Sequence, residues 1–90
     1  MPMLFERVRV AVPLVDVEPR SNLDDIMDYL KQRLELDYPP PNGEGDAWMA
    51  PIYEEMRRSQ AKGWRVTKAE WVGNAVEIWL FRWKLPFGLG

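Results

Sequence analysis

From Leu4 the chain alternates. Val8, Val10, Val12 and Leu14 fall at every second position, with Phe5, Arg7, Arg9 and Ala11 between them. A period of two places the two sets on opposite faces of a β-strand, so the pattern predicts a first strand over Leu4–Val17. At Pro13 the phase breaks: the apolar residues beyond it are Val15 and Val17, and the polar ones Asp16 and Glu18. Proline removes a ladder donor, so a bulge or an edge position is expected there. Glu18-Pro19-Arg20 reads as a turn.

The period then changes to that of a helix. Leu23, Ile26, Met27, Leu30 and Leu34 share one stripe, while Asp24, Asp25, Asp28, Lys31, Gln32 and Glu35 lie off it. Ser21 or Asn22 is placed to cap this helix, and Asp24 and Asp25 sit in its first turn, where the dipole favours acid. Pro39 disfavours helical backbone at the residue before it, which makes Asp37 about the last helical residue. Tyr38–Asp46 (YPPPNGEGD) reads as a loop, stiffened by its prolines and loosened by its glycines. A second helix is predicted from about Trp48 to Lys62. Met49, Ile52, Tyr53 and Met56 form its stripe, Glu54–Arg58 is a favourable i,i+4 pair, and Pro51 is tolerable only in the first turn. Gly63 stands where a left-handed C-terminal cap belongs.

Trp64–Trp83 (WRVTKAEWVGNAVEIWLFRW) contains two β-rich runs joined by Gly73-Asn74, and it holds four of the five tryptophans. Gly-Asn is a two-residue hairpin signal. With Gly73 and Asn74 as the turn, one face carries the pairs Trp71/Val76, Ala69/Ile78, Thr67/Leu80 and Arg65/Arg82. The other carries Val72/Ala75, Glu70/Glu77, Lys68/Trp79, Val66/Phe81 and Trp64/Trp83, and a slip by one residue would exchange them. KLPFGLG, from Lys84 on, reads as an irregular tail with Leu85, Phe87 and Leu89 as anchors. The expected fold is α+β, in the order β-α-α-β-β. A three-stranded, mainly antiparallel sheet has both helices packed on the face made by Ala69, Val76, Ile78 and Leu80 together with Val8, Val10 and Val12.

Composition narrows the chemistry. Ninety residues make one domain, and the net charge of −2 gives no bulk sign of nucleic-acid binding. There are no cysteines and no histidines. Disulfides, thiolate catalysis and cysteine-ligated zinc are excluded, as are the usual general base and the commonest metal ligand. The opening MPMLFERVRVAVPL is too short and too charged in its apolar run for a signal peptide or a membrane span, so an intracellular, cytoplasmic protein is expected. Asn42, Glu44 and Asp46 alternate with glycines, but an EF-hand loop counted from Asn42 would put Ala47 and Tyr53 where glycine and a bidentate glutamate are required. Asp24, Asp25 and Asp28 read as first-turn residues facing water, and Asp16/Glu18 lacks anything to separate two pKa values. Ser21, Ser59 and Thr67 have no base partner of the serine-lysine type, and Arg57-Arg58 reads as a solvated helix face. No cofactor, metal or catalytic set is expected.

What remains is the second sheet face. Trp64, Val66, Lys68, Trp79, Phe81 and Trp83, joined by Phe5, Arg7 and Arg9, form an aromatic surface that nothing but the tail could cover from within the chain. A patch of this kind marks an interface, and Trp and Arg dominate interface energetics. The leading expectation is that the face is covered as core, by the tail or by a second copy of the protein; with a heterologous protein surface as the next reading, this gives a protein-interaction module that self-associates, or meets another protein, through this face. The alternative is single-stranded nucleic acid, with bases stacking on the rings and Arg or Lys meeting phosphates. The element order looks like that of a KH domain lacking its last helix, a family that clamps nucleic-acid backbone with a basic GxxG loop. Here Asn42-Gly43-Glu44-Gly45-Asp46 has a different spacing and the opposite charge, so the likeness covers element order alone.

Overall fold

A computed structural model describes residues 4–84. The order is β1 (Leu4–Pro13), α1 (Leu23–Glu35), a 3-10 turn (Ala47–Met49), α2 (Ala50–Ala61), β2 (Arg65–Val72) and β3 (Ala75–Lys84). This is the expected β-α-α-β-β, α+β arrangement. Lys84 closes β3 instead of opening the tail, and the anchors expected at Leu85, Phe87 and Leu89 lie outside the described residues.

The three strands run in the order β1-β3-β2, antiparallel at both junctions. β3 is the most apolar of them and takes the centre. The flanking strands carry features that make an edge unreceptive: charged side chains throughout, Pro13 on β1 and a bulge on β2. β1 stops at Pro13, four residues short of Val17, because Asp16 adopts a left-handed φ of 57° that no strand continues through. The edge position expected of Pro13 is therefore what is found, and Leu14 stays in the core, as the alternation predicts.

Both helices lie on one face of the sheet. Leu23, Ile26, Met27 and Leu30 of α1 and Ile52, Tyr53 and Met56 of α2 are buried against Val12, Ala69, Val76, Ile78 and Leu80. Completely burying a large apolar side chain is worth about 1.5–3 kcal/mol, so Leu30, Ile52, Tyr53 and Ile78, all fully buried, dominate the core. The helix layer does not reach the far end of β1, where Leu4 and Val8 stay exposed. Among the described residues no helix is long and apolar enough to cross a membrane.

The helix ends follow their local chemistry. Asn22 occupies the N-cap of α1, but its side chain makes no capping bond. α1 ends at Glu35 because Asp37 takes φ 56°. The amide of Tyr38 then donates to the Arg33 carbonyl and that of Asp37 to Leu34, a Schellman closure. α2 ends in the same way around Gly63, at φ 88°, with the Trp64 amide donating to Ser59 and that of Gly63 to Gln60. Pro51 lies in the first turn of α2, as its missing donor requires. The ion pair on α2 joins Arg58 to Glu55, at 3.3 Å, instead of to Glu54: the i,i+3 partner is the one in reach.

The loop between the helices is tied at several points. The Asp46 carboxylate accepts from the Gly43 amide at 2.8 Å and from the Tyr29 hydroxyl at 3.0 Å, so the one aspartate of a would-be cation loop is occupied in folding the loop. The buried Tyr53 hydroxyl donates to the Tyr38 carbonyl and accepts from Arg57 at 3.1 Å; that bond lifts the Arg57 guanidinium above its ordinary range. Trp48 and Trp71 stack with centroids 6.3 Å apart, Arg20 lies over Trp48, and the Trp71 indole N–H donates to the Arg20 carbonyl at 2.8 Å. These two tryptophans join the core to the connection before α1.

Candidate interaction surface

The candidate surface is the sheet face turned away from the helices, and its layout follows from register. β2 and β3 pair around Gly73-Asn74 as expected from Val72/Ala75 through Glu70/Glu77 to Lys68/Trp79. Gly73 takes φ 62° while Asn74 keeps a negative φ, the signature of a type II′ turn. Beyond Lys68 the register shifts: Thr67 bulges, Val66 pairs with Leu80, and Arg65 pairs with Phe81.

That one extra residue reverses the phase of the rest of β2 and corrects the expected membership of the face. Val66 and Trp64, expected beside Phe81 and Trp83, pack against the core on the helix side. Arg65, expected opposite Arg82 under the helices, comes to the open face. The exchange has a physical cause: without the bulge, two guanidiniums would lie side by side on the buried face while a valine and a tryptophan faced water. Trp64 is held further by the Schellman closure of α2 and by Arg82. The Arg82 guanidinium lies 4.4 Å over the Trp64 ring, donates to the Lys62 carbonyl and pairs with Glu6 at 3.2 Å.

The remaining expected residues do come together. β1 pairs with β3 so that Arg9 meets Trp79, Arg7 meets Phe81 and Phe5 meets Trp83. The open face is thus a set of rows. Pro13, Ala75 and Val72 lie nearest the hairpin turn; Ala11, Glu77 and Glu70 come next; then Arg9, Trp79 and Lys68; then Arg7, Phe81 and Arg65; and last Phe5 and Trp83. Phe5 and Trp83 are 48% and 58% exposed, so the apolar end of the face meets water.

The rings brace one another edge to face. Trp83 stands 5.8 Å from Phe5 and 6.1 Å from Phe81, centroid to centroid, in T-shaped pairs. Cations cover them from the flanking strands: Arg7 over Phe5 at 4.8 Å, Lys68 over Trp79 at 5.0 Å and Arg9 over Trp79 at 5.8 Å. Phe5, Arg7, Thr67, Trp79, Phe81 and Trp83 line a shallow trough of about 430 Å³. Glu77 pairs with Arg9 at 3.6 Å and Glu70 with Lys68 at 2.6 Å. Arg7 and Arg65 have no carboxylate within ion-pair distance among the described residues.

Charge is therefore segregated. The open face has four cations (Arg7, Arg9, Arg65, Lys68) and two carboxylates (Glu70, Glu77) in a chain of net charge −2. Residues 14–64, which hold the helices and their connections, carry eleven carboxylates and six cations. The class defined by fold and surface is an α+β domain whose helices cover one side of a three-stranded sheet, while the other side, aromatic and cationic, has no helix or strand over it among the described residues. No protein-family model, curated protein or solved structure matches the chain.

Proposed function

We propose that this protein is a non-catalytic interaction module that self-associates through the open face of its sheet. The observation that carries the reading is the row of Phe5 and Trp83 continuing into Phe81, three rings packed edge to face with Trp79 beyond them, the outer two about half exposed. Exposed apolar patches of this kind are uncommon on monomers, and sheets of this shape bury such faces by stacking. The cations give the surface specificity more than affinity, since ion pairs at a wet rim contribute little.

The test is the solution mass at micromolar concentration of the native chain and of a Trp79→Ala/Phe81→Ala variant, with circular dichroism to follow folding. A native dimer whose variant is a folded monomer supports the proposal. A native monomer, or a variant that unfolds without any change in association, counts against it.

One observation favours a second reading, binding of single-stranded nucleic acid: the local excess of positive charge around stackable rings. The row of Glu70 and Glu77 lies within the same face and would repel a phosphate chain running along it. Salt-dependent quenching of tryptophan emission by an oligonucleotide would support this second reading over the first.

A further inference from the structure

The open face is complementary to itself in one orientation, and we infer that two copies stack on it antiparallel, with the two-fold axis passing over Trp79. This inference rests on the self-association reading and adds the register. Side-chain size is graded along the face. The end near the hairpin turn carries the small residues Ala11, Pro13 and Ala75, and the other end carries Phe5, Phe81 and Trp83. Each face is thus a wedge. Stacked in parallel, two wedges would pile ring on ring at one end and leave a gap at the other. Stacked antiparallel, the thin end of each receives the thick end of its partner, so that only Trp79 meets its own copy and the other rings are spread along the layer, which favours close packing.

Charge selects the same orientation. Trp79 occupies the middle row, with the carboxylate row on one side and the row of Arg7 and Arg65 on the other. A two-fold axis across the strands at Trp79 exchanges these rows and keeps each strand over its own counterpart. Glu70 then lies over Arg65 of the second copy, and Glu77 lies next to its Arg7. These are the two cations of the face without a carboxylate of their own among the described residues. Sheets stacked face to face sit ~10 Å apart with strands crossing at about 30°, a span that glutamate and arginine side chains bridge. The middle row meets itself, Arg9 over Arg9 and Lys68 over Lys68, each beside the Glu77 or Glu70 of its own chain. An axis along the strands would set Arg7 over Arg65, Arg9 over Lys68 and Glu77 over Glu77, and would bring no carboxylate over Arg7 or Arg65.

The test exchanges charge across the inferred contact. Glu70→Arg alone places arginine over arginine; Arg65→Glu alone places glutamate over glutamate. Both residues are exposed, so each variant keeps its core, and circular dichroism verifies that it does. Sedimentation equilibrium is run on each variant and on their equimolar mixture. The expected result is at least a tenfold weaker dimer for either variant alone and recovery of the native mass in the mixture, where both contacts join opposite charges. If the native chain dimerises and both variants do so equally well, or the mixture stays monomeric, the antiparallel register is overturned while self-association stands. A native chain that stays monomeric would overturn both.

Discussion

Gly63 and Asp37 do the same job with different means. Each follows the last turn of a helix and takes a left-handed φ, 88° and 56°, so that the next amide can close back on the helix. Glycine adopts this conformation freely; a residue with a Cβ is strained there by about 1–2 kcal/mol. Nothing lies within 4 Å of a Cβ built on Gly63, so the cost of adding one is conformational alone. Gly63→Ala is expected to lower stability by about 1–2 kcal/mol in urea unfolding, and Asp37→Gly to raise it by about 0.5 kcal/mol, the strain relieved exceeding the added chain entropy. Equal and opposite effects are not expected, and a stabilising Gly63→Ala would show that the α2 terminus is not held as described. The glycine was legible in the sequence because it stands where such caps occur. Asp37 was not: the helical stripe and Pro39 both allowed α1 to run on to it, and only the backbone closure from Tyr38 to Arg33 ends the helix two residues sooner.

At the scale of elements the decisive feature is the bulge at Thr67. The hairpin turn could be read from Gly73-Asn74, and with it the pairing as far as Lys68. The stretch beyond could not be read from the turn, since a turn fixes register only until an extra residue intervenes. A signal was present all the same. Trp64 and Val66 are two apart, as are Ala69 and Trp71, but Val66 and Ala69 are three apart, the spacing that one inserted residue produces. The regular pairing also set Arg65 against Arg82 on the buried face, a conflict that the bulge removes. Deleting Thr67 removes the extra residue and should leave a regular ladder with Val66 still opposite Leu80 and Trp64 still on the core side, so the urea midpoint is expected to change little. A midpoint lowered by the equivalent of about 1.5–3 kcal/mol, as a buried apolar side chain contributes, would mean that Val66 or Trp64 had turned outward and that the bulge does not set the phase. The helix stripes, by contrast, were legible, because a 3.6-residue period over three turns has one solution: Leu23, Ile26, Met27, Leu30, Ile52, Tyr53 and Met56 lie in the core, and Leu34 and Met49, the latter in the 3-10 turn before α2, pack partly buried against it.

On the scale of the whole molecule, the sequence shows a slightly acidic chain and the fold separates that charge. Carboxylates concentrate in the helices and loops, and the open sheet face is locally cationic although the net charge is −2. Net charge alone could not reveal this, because it takes the β1–β3 and β2–β3 pairings to bring Arg7, Arg9, Arg65 and Lys68 to one side. Seven of the nine residues expected on that side are there: Phe5, Arg7, Arg9, Lys68, Trp79, Phe81 and Trp83. Trp64 and Val66 are not, and Arg65 takes a place there that the regular register denied it. The proposed dimer stacks Trp79 at its centre, sets oppositely charged rows on either side and buries Phe5 and Trp83 at its ends, so added salt should loosen it only modestly, whereas a complex with nucleic acid would weaken steeply.

The central claim is that the open face is covered by a second copy of the chain. Sedimentation equilibrium of the native protein across the micromolar range tests it most directly. The prediction is a mass rising with concentration to twice the chain's 10.6 kDa and no further, since a two-fold contact closes on itself. A mass that stays at 10.6 kDa throughout that range, or that climbs without limit, would contradict it.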